Sequence, residues 1–263
     1  MTTLAMNPRD PLPLARTLRA YLVEAKYETL AALRSAGFAI PFILVPVAIY
    51  LLFGVVIAGD ASKNPFGPGI ANYLFCGFAA MAAMMPGIFS GVIVATTREN
   101  NVLKLKRALP QPPGATIVAK ILMSMIVAAI AVTLVAIAAL IARKITISFA
   151  EVATIWAVLI VGSIPFCAIG LLIGTFGSAA AAPAYGNLVF LPMIWLSGLF
   201  IPLPDALEKW VVIWPAFHLN QLALGLAGVG QFTFIPPAVA LAALLGVTVI
   251  CGGLAIHRLA RIG

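Results

Sequence analysis

VATIWAVLIVGSIPFCAIGLLIGTFGSAAAAPAYGNLVFLPMIWLSGLFIPLP, residues Val152 to Pro204, runs without a single Asp, Glu, Lys, Arg or His. A bilayer core of about 30 Å takes roughly 20 apolar residues in an α-helix, so this run is too long for one crossing. Its small-residue centre, GSAAAAPAYG at Gly177 to Gly186, suits a tight turn. The stretch therefore reads as two helices, Val152–Phe176 and Ala184–Leu203. Transmembrane β-strands alternate polarity over about ten residues, and nothing in this run alternates.

Working outward, four more charge-free windows have the same length and character: Phe38–Ala58, Gly69–Ala95, Ile121–Ala142 and Phe234–Ile256. The composition agrees, with 63% hydrophobic residues, 9% charged residues and a mean hydropathy of +1.11, whereas a soluble domain carries about 25% charge. The expected fold is an all-α integral membrane protein with six transmembrane helices. Residues 1–36 form a cytoplasmic tail and amphipathic helix, and residues 37–263 form the six-helix domain. A net charge of +8 suggests nucleic acid only on a water-exposed scaffold, which this chain lacks; no nucleic-acid partner is expected.

Lys and Arg are retained on the cytoplasmic side of a membrane. With the amino terminus inside, that side receives Arg9, Arg16, Arg19, Lys26, Arg34, Arg98, Lys104, Lys106, Arg107, Lys120, Arg258 and Arg261, and the other receives Lys63, Arg143, Lys144 and Lys209. The acids divide evenly, so twelve against four places both termini in the cytoplasm, although Arg143 and Lys144 run against the rule. The first 35 residues hold no signal-peptide core, and the amino terminus is expected to be uncleaved. Cys76, Cys167 and Cys251 lie singly within apolar runs and read as small buried hydrophobes.

Three segments outside the windows stand out. Asp10-Pro11 suits a helix start, and Leu14, Leu18, Tyr21, Leu22, Ala25, Thr29, Ala32 and Leu33 recur at three-four spacing, with Glu28 at the edge of the stripe; this helix is expected along the inner membrane surface. The run Thr97 to Arg107 is the densest in charge, and about a turn of helix there presents Val102, Leu103 and Leu105 as a projecting knob. Asp205 to Phe232 carries Trp210 and Trp214, residues of the membrane interface, and predicts one or two short helices dipping into the outer leaflet. His218 with Asp205 and Glu208 lacks the spacing of a metal site and reads as a polar anchor.

In Gly186 to Trp210, GNLVFLPMIWLSGLFIPLPDALEKW, the chain resembles the type-2 family of ABC transporter permeases, in which the fifth helix ends in a break like Ser197-Gly198-Leu199-Phe200-Ile201-Pro202-Leu203 before an external helical hairpin. Trp214-Pro215-Ala216-Phe217-His218 resembles the family's outer re-entrant segment. Arg98-Glu99-Asn100-Asn101-Val102-Leu103-Lys104 resembles its coupling segment, with Asn101 where the family has glycine and Val102 where it has threonine. The resemblance covers nearly the whole chain, although an Arg often found after the outer hairpin is absent from Gln221 to Gly230.

The resemblance implies a permease subunit of an ATP-driven exporter in the bacterial cytoplasmic (inner) membrane. It implies two ABC ATPase subunits per complex, and a second permease chain that is a copy or a paralogue. ATP and Mg belong to the ATPase; this chain binds no cofactor and no metal, and it has no Gly-Lys dipeptide for a P-loop. Glu99, Asn100, Leu103, Lys104 and Arg107 become the ATPase-coupling candidates. The second and fifth helices become the pathway, with Phe78, Met81, Met85 and Phe89 on one face of the second and Asn187, Phe190, Met193 and Ser197 along the fifth. Met and Phe give an adaptable surface for an amphiphilic cargo such as a drug, natural product, lipid or glycan intermediate; ordinary helix packing accounts for the same stripe equally well. An ion-coupled secondary transporter is the alternative, and it needs ionisable residues within the bilayer. The six windows contain none.

Overall fold

The computed structural model describes residues 14–57, 69–108, 112, 114–142, 145–202 and 207–262, and among them it is helical with no strand. α1 (Leu14–Arg34) occupies the stretch expected to be amphipathic; the Asp10-Pro11 start assigned to it lies outside the described residues. Extended backbone at Ser35 separates α1 from α2 (Ala36–Ile49), which contains Pro41 and Pro46 and continues as a π-helix over Tyr50–Ile57. Proline withholds an N–H and crowds the preceding turn, and the wider register begins one turn beyond Pro46.

α3 (Ile70–Glu99), α4 (Val102–Ala108) and α5 (Ala115–Ala142) come next. The expected fourth span is two helices, α6 (Phe149–Val161) and α7 (Ile164–Ile173), parted at Gly162 and Ser163 where Pro165 enters the first turn of α7. Ser148 and Glu151 close a reciprocal cap at the start of α6, with Glu151 N–H donating to Ser148 Oγ at 3.3 Å and Ser148 N–H donating to the Glu151 carboxylate at 2.7 Å. α8 (Ala182–Leu196), α9 (Glu208–Val211), α10 (Pro215–Leu226) and α11 (Pro237–Ile262) complete the chain.

Five helical stretches among the described residues are long and apolar enough to cross a membrane: Ala36–Val56, Ile70–Glu99, Ala115–Ala142, Phe149–Ile173 and Pro237–Arg261. The fifth expected helix, Ala184–Leu203, is shorter than its window. α8 stops at Leu196 after 15 residues, a rise of about 22 Å against a core of about 30 Å. The chain turns instead through Gly198, whose φ of +63° is left-handed, and Pro202 comes before any helix resumes. Irregular backbone at membrane depth is tolerated where protein covers it, and Ser197, Gly198 and Leu199 are all buried.

What covers that break is α3, the central helix of the bundle. In α3, 89% of the apolar window is buried inside the chain, against 17% for the first and last spans. Its most extensive contacts are with α7 and α5, and glycines set the closest of them. A Cβ at Gly87 would lie 2.7 Å from the Cys167 backbone nitrogen, one at Gly174 would lie 2.6 Å from the Gly91 carbonyl oxygen, and ones at Gly91 and Gly170 would overlap the opposing backbone. Two Gly-x-x-x-Gly pairs, Gly87/Gly91 on α3 and Gly170/Gly174 at the end of α7 and its cap, therefore bring the helices together at backbone contact. Further out, a Cβ at Gly77 would overlap the Leu199 carbonyl, so α3 also seals the break after α8.

Candidate coupling and translocation site

The end of the bundle at α1 and α4, the inner end on the expected topology, is held by charge. α1 turns a narrow face of Ala25, Glu28, Thr29 and Ala32 into the chain and leaves Leu14, Leu18 and Leu22 exposed. Glu28, at the edge of the expected stripe, is thus at the centre of the buried one. Its Oε1 accepts from Lys106 Nζ of α4 at 2.7 Å and its Oε2 accepts from Lys120 Nζ of α5, while Glu24 also accepts from Lys106 at 2.5 Å. Three elements, α1, α4 and α5, are joined by one network of two carboxylates and two ammonium groups.

Burial raises the pKa of the Glu28 carboxyl, but the charges and hydrogen bonds of Lys120 and Lys106 outweigh it and hold the group below its ordinary value. For Lys106, burial lowers the pKa, and hydrogen bonds and charges from Glu24 and Glu28 outweigh it to leave it raised. Lys120 is only 1% exposed, and it sits inside α5 although the third expected window begins one residue later. A charge-free window starts after such a lysine by definition. The windows themselves hold no ionisable group, and one stands just outside the third, in the same helix and paired with Glu28.

α4 lies close behind α3 because of Asn101. Its φ of +57° is left-handed, the conformation that Asn adopts more readily than most side chains, so it supplies the turn where the resemblance led to the expectation of glycine. Asn101 N–H donates to the Arg98 carbonyl at 3.1 Å, and the Asn101 carbonyl accepts from Leu105 N–H at 3.1 Å, ending one helix and starting the next. The projecting knob is smaller than expected. Leu103 is 9% exposed and Leu105 is 64% exposed, because residues two apart on a helix lie about 200° around its axis and cannot share a face. Lys104, Asn100 and Glu99 are exposed, and the Arg107 side chain lies outside the described residues.

Glu99 and its neighbour also have partners within the chain. Glu99 Oε2 accepts from Ala179 N–H at 2.8 Å. Arg98 donates to the Thr175 carbonyl at 2.6 Å and to the Gly177 carbonyl. From α11, Arg258 Nε donates to Thr175 Oγ1 at 3.0 Å and its guanidinium lies 4.1 Å from the centre of the Phe176 ring.

The pathway candidates divide. Phe78, Met81, Met85, Phe89, Phe190, Met193 and Ser197 are all under 9% exposed, and Asn187 is exposed. Phe78 stacks on Phe200 at 4.8 Å and packs near Tyr50 at 6.0 Å. Phe89 stacks on Phe42 at 4.8 Å and meets Phe190 edge-on at 5.7 Å. Of these residues, Phe89 lines a groove of about 470 Å³ between the α1–α2 elbow and α3, with Phe38, Phe42, Val92 and Ile93 along it, Thr96 and Thr97 further down α3, and Pro183 of α8 at its side.

The opposite end, the outer one on the expected topology, is held by neutral groups. Asn72 donates to Thr146 Oγ1 at 2.9 Å and accepts from Thr146 N–H at 3.0 Å. Tyr73 OH donates to the Gly198 carbonyl, to which Asn220 also donates at 3.4 Å. Gln221 brackets the turn before α11, donating to Phe232 O and accepting from Phe234 N–H. His218 is 5% exposed with its Nε2 2.8 Å from the Val212 carbonyl. Asp205 and the Glu208 side chain lie outside the described residues, among which no cluster of three or more potential metal ligands occurs.

A multi-pass helical membrane protein with a buried glycine-contact helix and a charge-bound inner end is the class this architecture defines. The family model for ABC-2 type transporters matches residues 19–231, and the chain belongs to that family. It is an ABC transporter permease, a membrane component whose family works with an ABC ATPase subunit. No curated protein matches the sequence significantly.

Proposed function

We propose that this chain is one of two permease subunits of an exporter that moves an amphiphilic cargo across the bacterial inner membrane, powered by two ABC ATPase subunits. Both termini are cytoplasmic, and α8 with the covered break Ser197–Pro202 completes a sixth crossing. The observation that carries the reading is the groove. Its aromatic wall of Phe38, Phe42 and Phe89 suits a hydrocarbon or ring system, and Ser35, Thr96, Thr97 and Glu28 border it with polar groups. That combination suits a ligand with one apolar and one polar end. Phe190 and Phe89 link the groove to α8, whereas Phe78 and Met81, buried deeper, hold the helices together.

The test is transport in inside-out vesicles containing the permease and its ATPase, with a fluorescent phospholipid and a lipophilic dye as probes. ATP-dependent accumulation of either is the expected result, and Phe42→Ala with Phe89→Ala should change the preference between them while the complex still assembles. Accumulation by the permease alone under a proton gradient, without ATP, would favour the ion-coupled alternative.

A further inference from the structure

We infer that Arg98 and Glu99 are positioning residues that transmit movement of α4 to the turn between α7 and α8, and through that turn to the mouth of the groove. The inference rests on the permease reading above and assigns it a route. Within five residues of the turn, the Thr175 carbonyl, the Gly177 carbonyl and the Ala179 N–H are all taken by these two consecutive side chains. An arginine spanning two carbonyls has little freedom to slide, because its donors sit in a rigid plane. The carboxylate beside it adds a charge-assisted bond to the far side of the turn.

The same turn is fastened to α8. Gly177 has a φ of +60°, and the Tyr185 ring lies 2.6 Å from where its Cβ would be, which folds the turn back onto α8. Pro183, at the start of α8, borders the groove together with Thr96 and Thr97 from the last turns of α3. Displacing the end of α3 therefore displaces Pro183, and with it the width of the groove between α8 and the elbow at Ser35. On the input side, the turn at Asn100 and Asn101 joins α3 to α4. α4 exposes Lys104 and Leu105 as the surface on which a partner can push. Arg258 binds Thr175 from α11 and draws the last helix into the same body.

This gives Glu99 a role different from pairing with a basic residue of the ATPase. An amide oxygen can still accept from Ala179 N–H, so Glu99→Gln should preserve transmission; a contact that depended on negative charge would be lost. Arg98→Lys keeps the charge but replaces the rigid planar fork, whose two nitrogens each reach one carbonyl, with a single nitrogen on a flexible stem, and should fail as Arg98→Ala does.

The experiment is a distance measurement by electron paramagnetic resonance on the permease–ATPase complex in nanodiscs, in a Cys251→Ser background. Spin labels are placed at Lys104 and Ala180, at Ser35 and Ala180, and at Ser35 and Lys104, all exposed. Each pair is compared without nucleotide and with ATP and vanadate. The expected result is a constant 104–180 distance and a 35–180 distance that changes by more than the roughly 1–2 Å of a small helix shift. Arg98→Lys should abolish the 35–180 change while the ATPase remains bound and active, and Glu99→Gln should retain it. If Lys104 moves away from Ala180 while the 35–180 distance stays fixed, the inference is overturned and the permease reading stands. If no pair responds to nucleotide, both are overturned.

Discussion

The two ends of α3 are fastened by different chemistry. At the inner end, Arg98 and Glu99 grip the α7–α8 turn, and nearby Glu24, Glu28, Lys106 and Lys120 join α1 to α4 and α5. At the outer end, Asn72, Tyr73, Asn220 and Gln221 make neutral bonds to Thr146 and to the backbone at Gly198, Phe232 and Phe234. A neutral hydrogen bond weakens steeply once its geometry is lost, whereas the attraction between charges falls only as the inverse of distance. Across the ion pairs of Glu24, Glu28, Lys106 and Lys120, α1 can therefore shift against α4 and α5 while they remain attached. The outer end behaves as a seal that is either closed or open. That contrast suits the proposed permease, driven from the end that carries α4.

The largest effect should come from breaking the inner network. Glu28→Ala leaves Lys120, buried in α5, without its carboxylate, and removing one member of a buried pair costs about 3–5 kcal/mol. Thermal unfolding of the reconstituted complex should show that loss, and Glu28→Leu combined with Lys120→Met should recover most of it. Recovery of stability without recovery of cargo-stimulated ATP hydrolysis would assign the charges to coupling. The same network sets a pH window. Because Glu28 is held below its ordinary 4.5, its contribution is complete above that pH and is lost as pH falls through the lowered value. Lys106 is held above its ordinary 10.5, so its contribution is complete below that pH and is lost as pH rises through the raised value. Between the two, the contributions of both Glu28 and Lys106 should be present. An equal acid limb in the Glu28→Leu, Lys120→Met protein would assign the limb to other carboxylates.

A smaller effect is expected at the outer seal. Gly77→Ala drives a methyl group into the Leu199 carbonyl, and overpacking of this kind costs about 1–3 kcal/mol. Hydrogen exchange should accelerate at residues 197–202 while the inner segment 102–108 keeps its protection. Equal loosening of both segments would mean that the two ends form one cooperative unit, and the contrast between them would fail.

How far the sequence exposes this arrangement depends on the kind of signal. Long apolar windows mark the spans because hydrocarbon thickness dictates their length, and α2, α3, α5, α6 with α7, and α11 all fall on them. The same criterion overstates α8, since Phe200 and Leu203 are as apolar as any helical residue and only Gly198 and Pro202 mark the stop. Glu28 is legible as an interruption of the α1 stripe, but an interruption has two explanations, a defect or a buried partner, and the partner is 92 residues away. The glycine pairs have a local signature, Gly-Ile-Phe-Ser-Gly at 87–91 and Gly-Leu-Leu-Ile-Gly at 170–174, to which a criterion of apolar length is blind. Leu103 and Leu105 require only the helical angle between them to be separated.

The smallest effect should lie at the joint between α3 and α4. Asn101 holds a left-handed backbone that costs an ordinary L-residue roughly 1–2 kcal/mol, and glycine adopts it without that cost. Asn101→Gly should therefore leave stability near wild type, while Asn101→Ala should lose about 1 kcal/mol. The loss has a location. The Asn101 carbonyl accepts the first bond of α4 from Leu105 N–H, so the alanine variant should speed hydrogen exchange in 102–108 and leave 197–202 as it was, the reverse of Gly77→Ala. Because α4 also carries Lys106 to Glu24 and Glu28, the ion pairs oppose its departure, and weakening them with salt should enlarge the difference between alanine and glycine. A difference that stays constant from low to high salt would show that the turn and the network act independently, and the inner end would then be two fastenings rather than one.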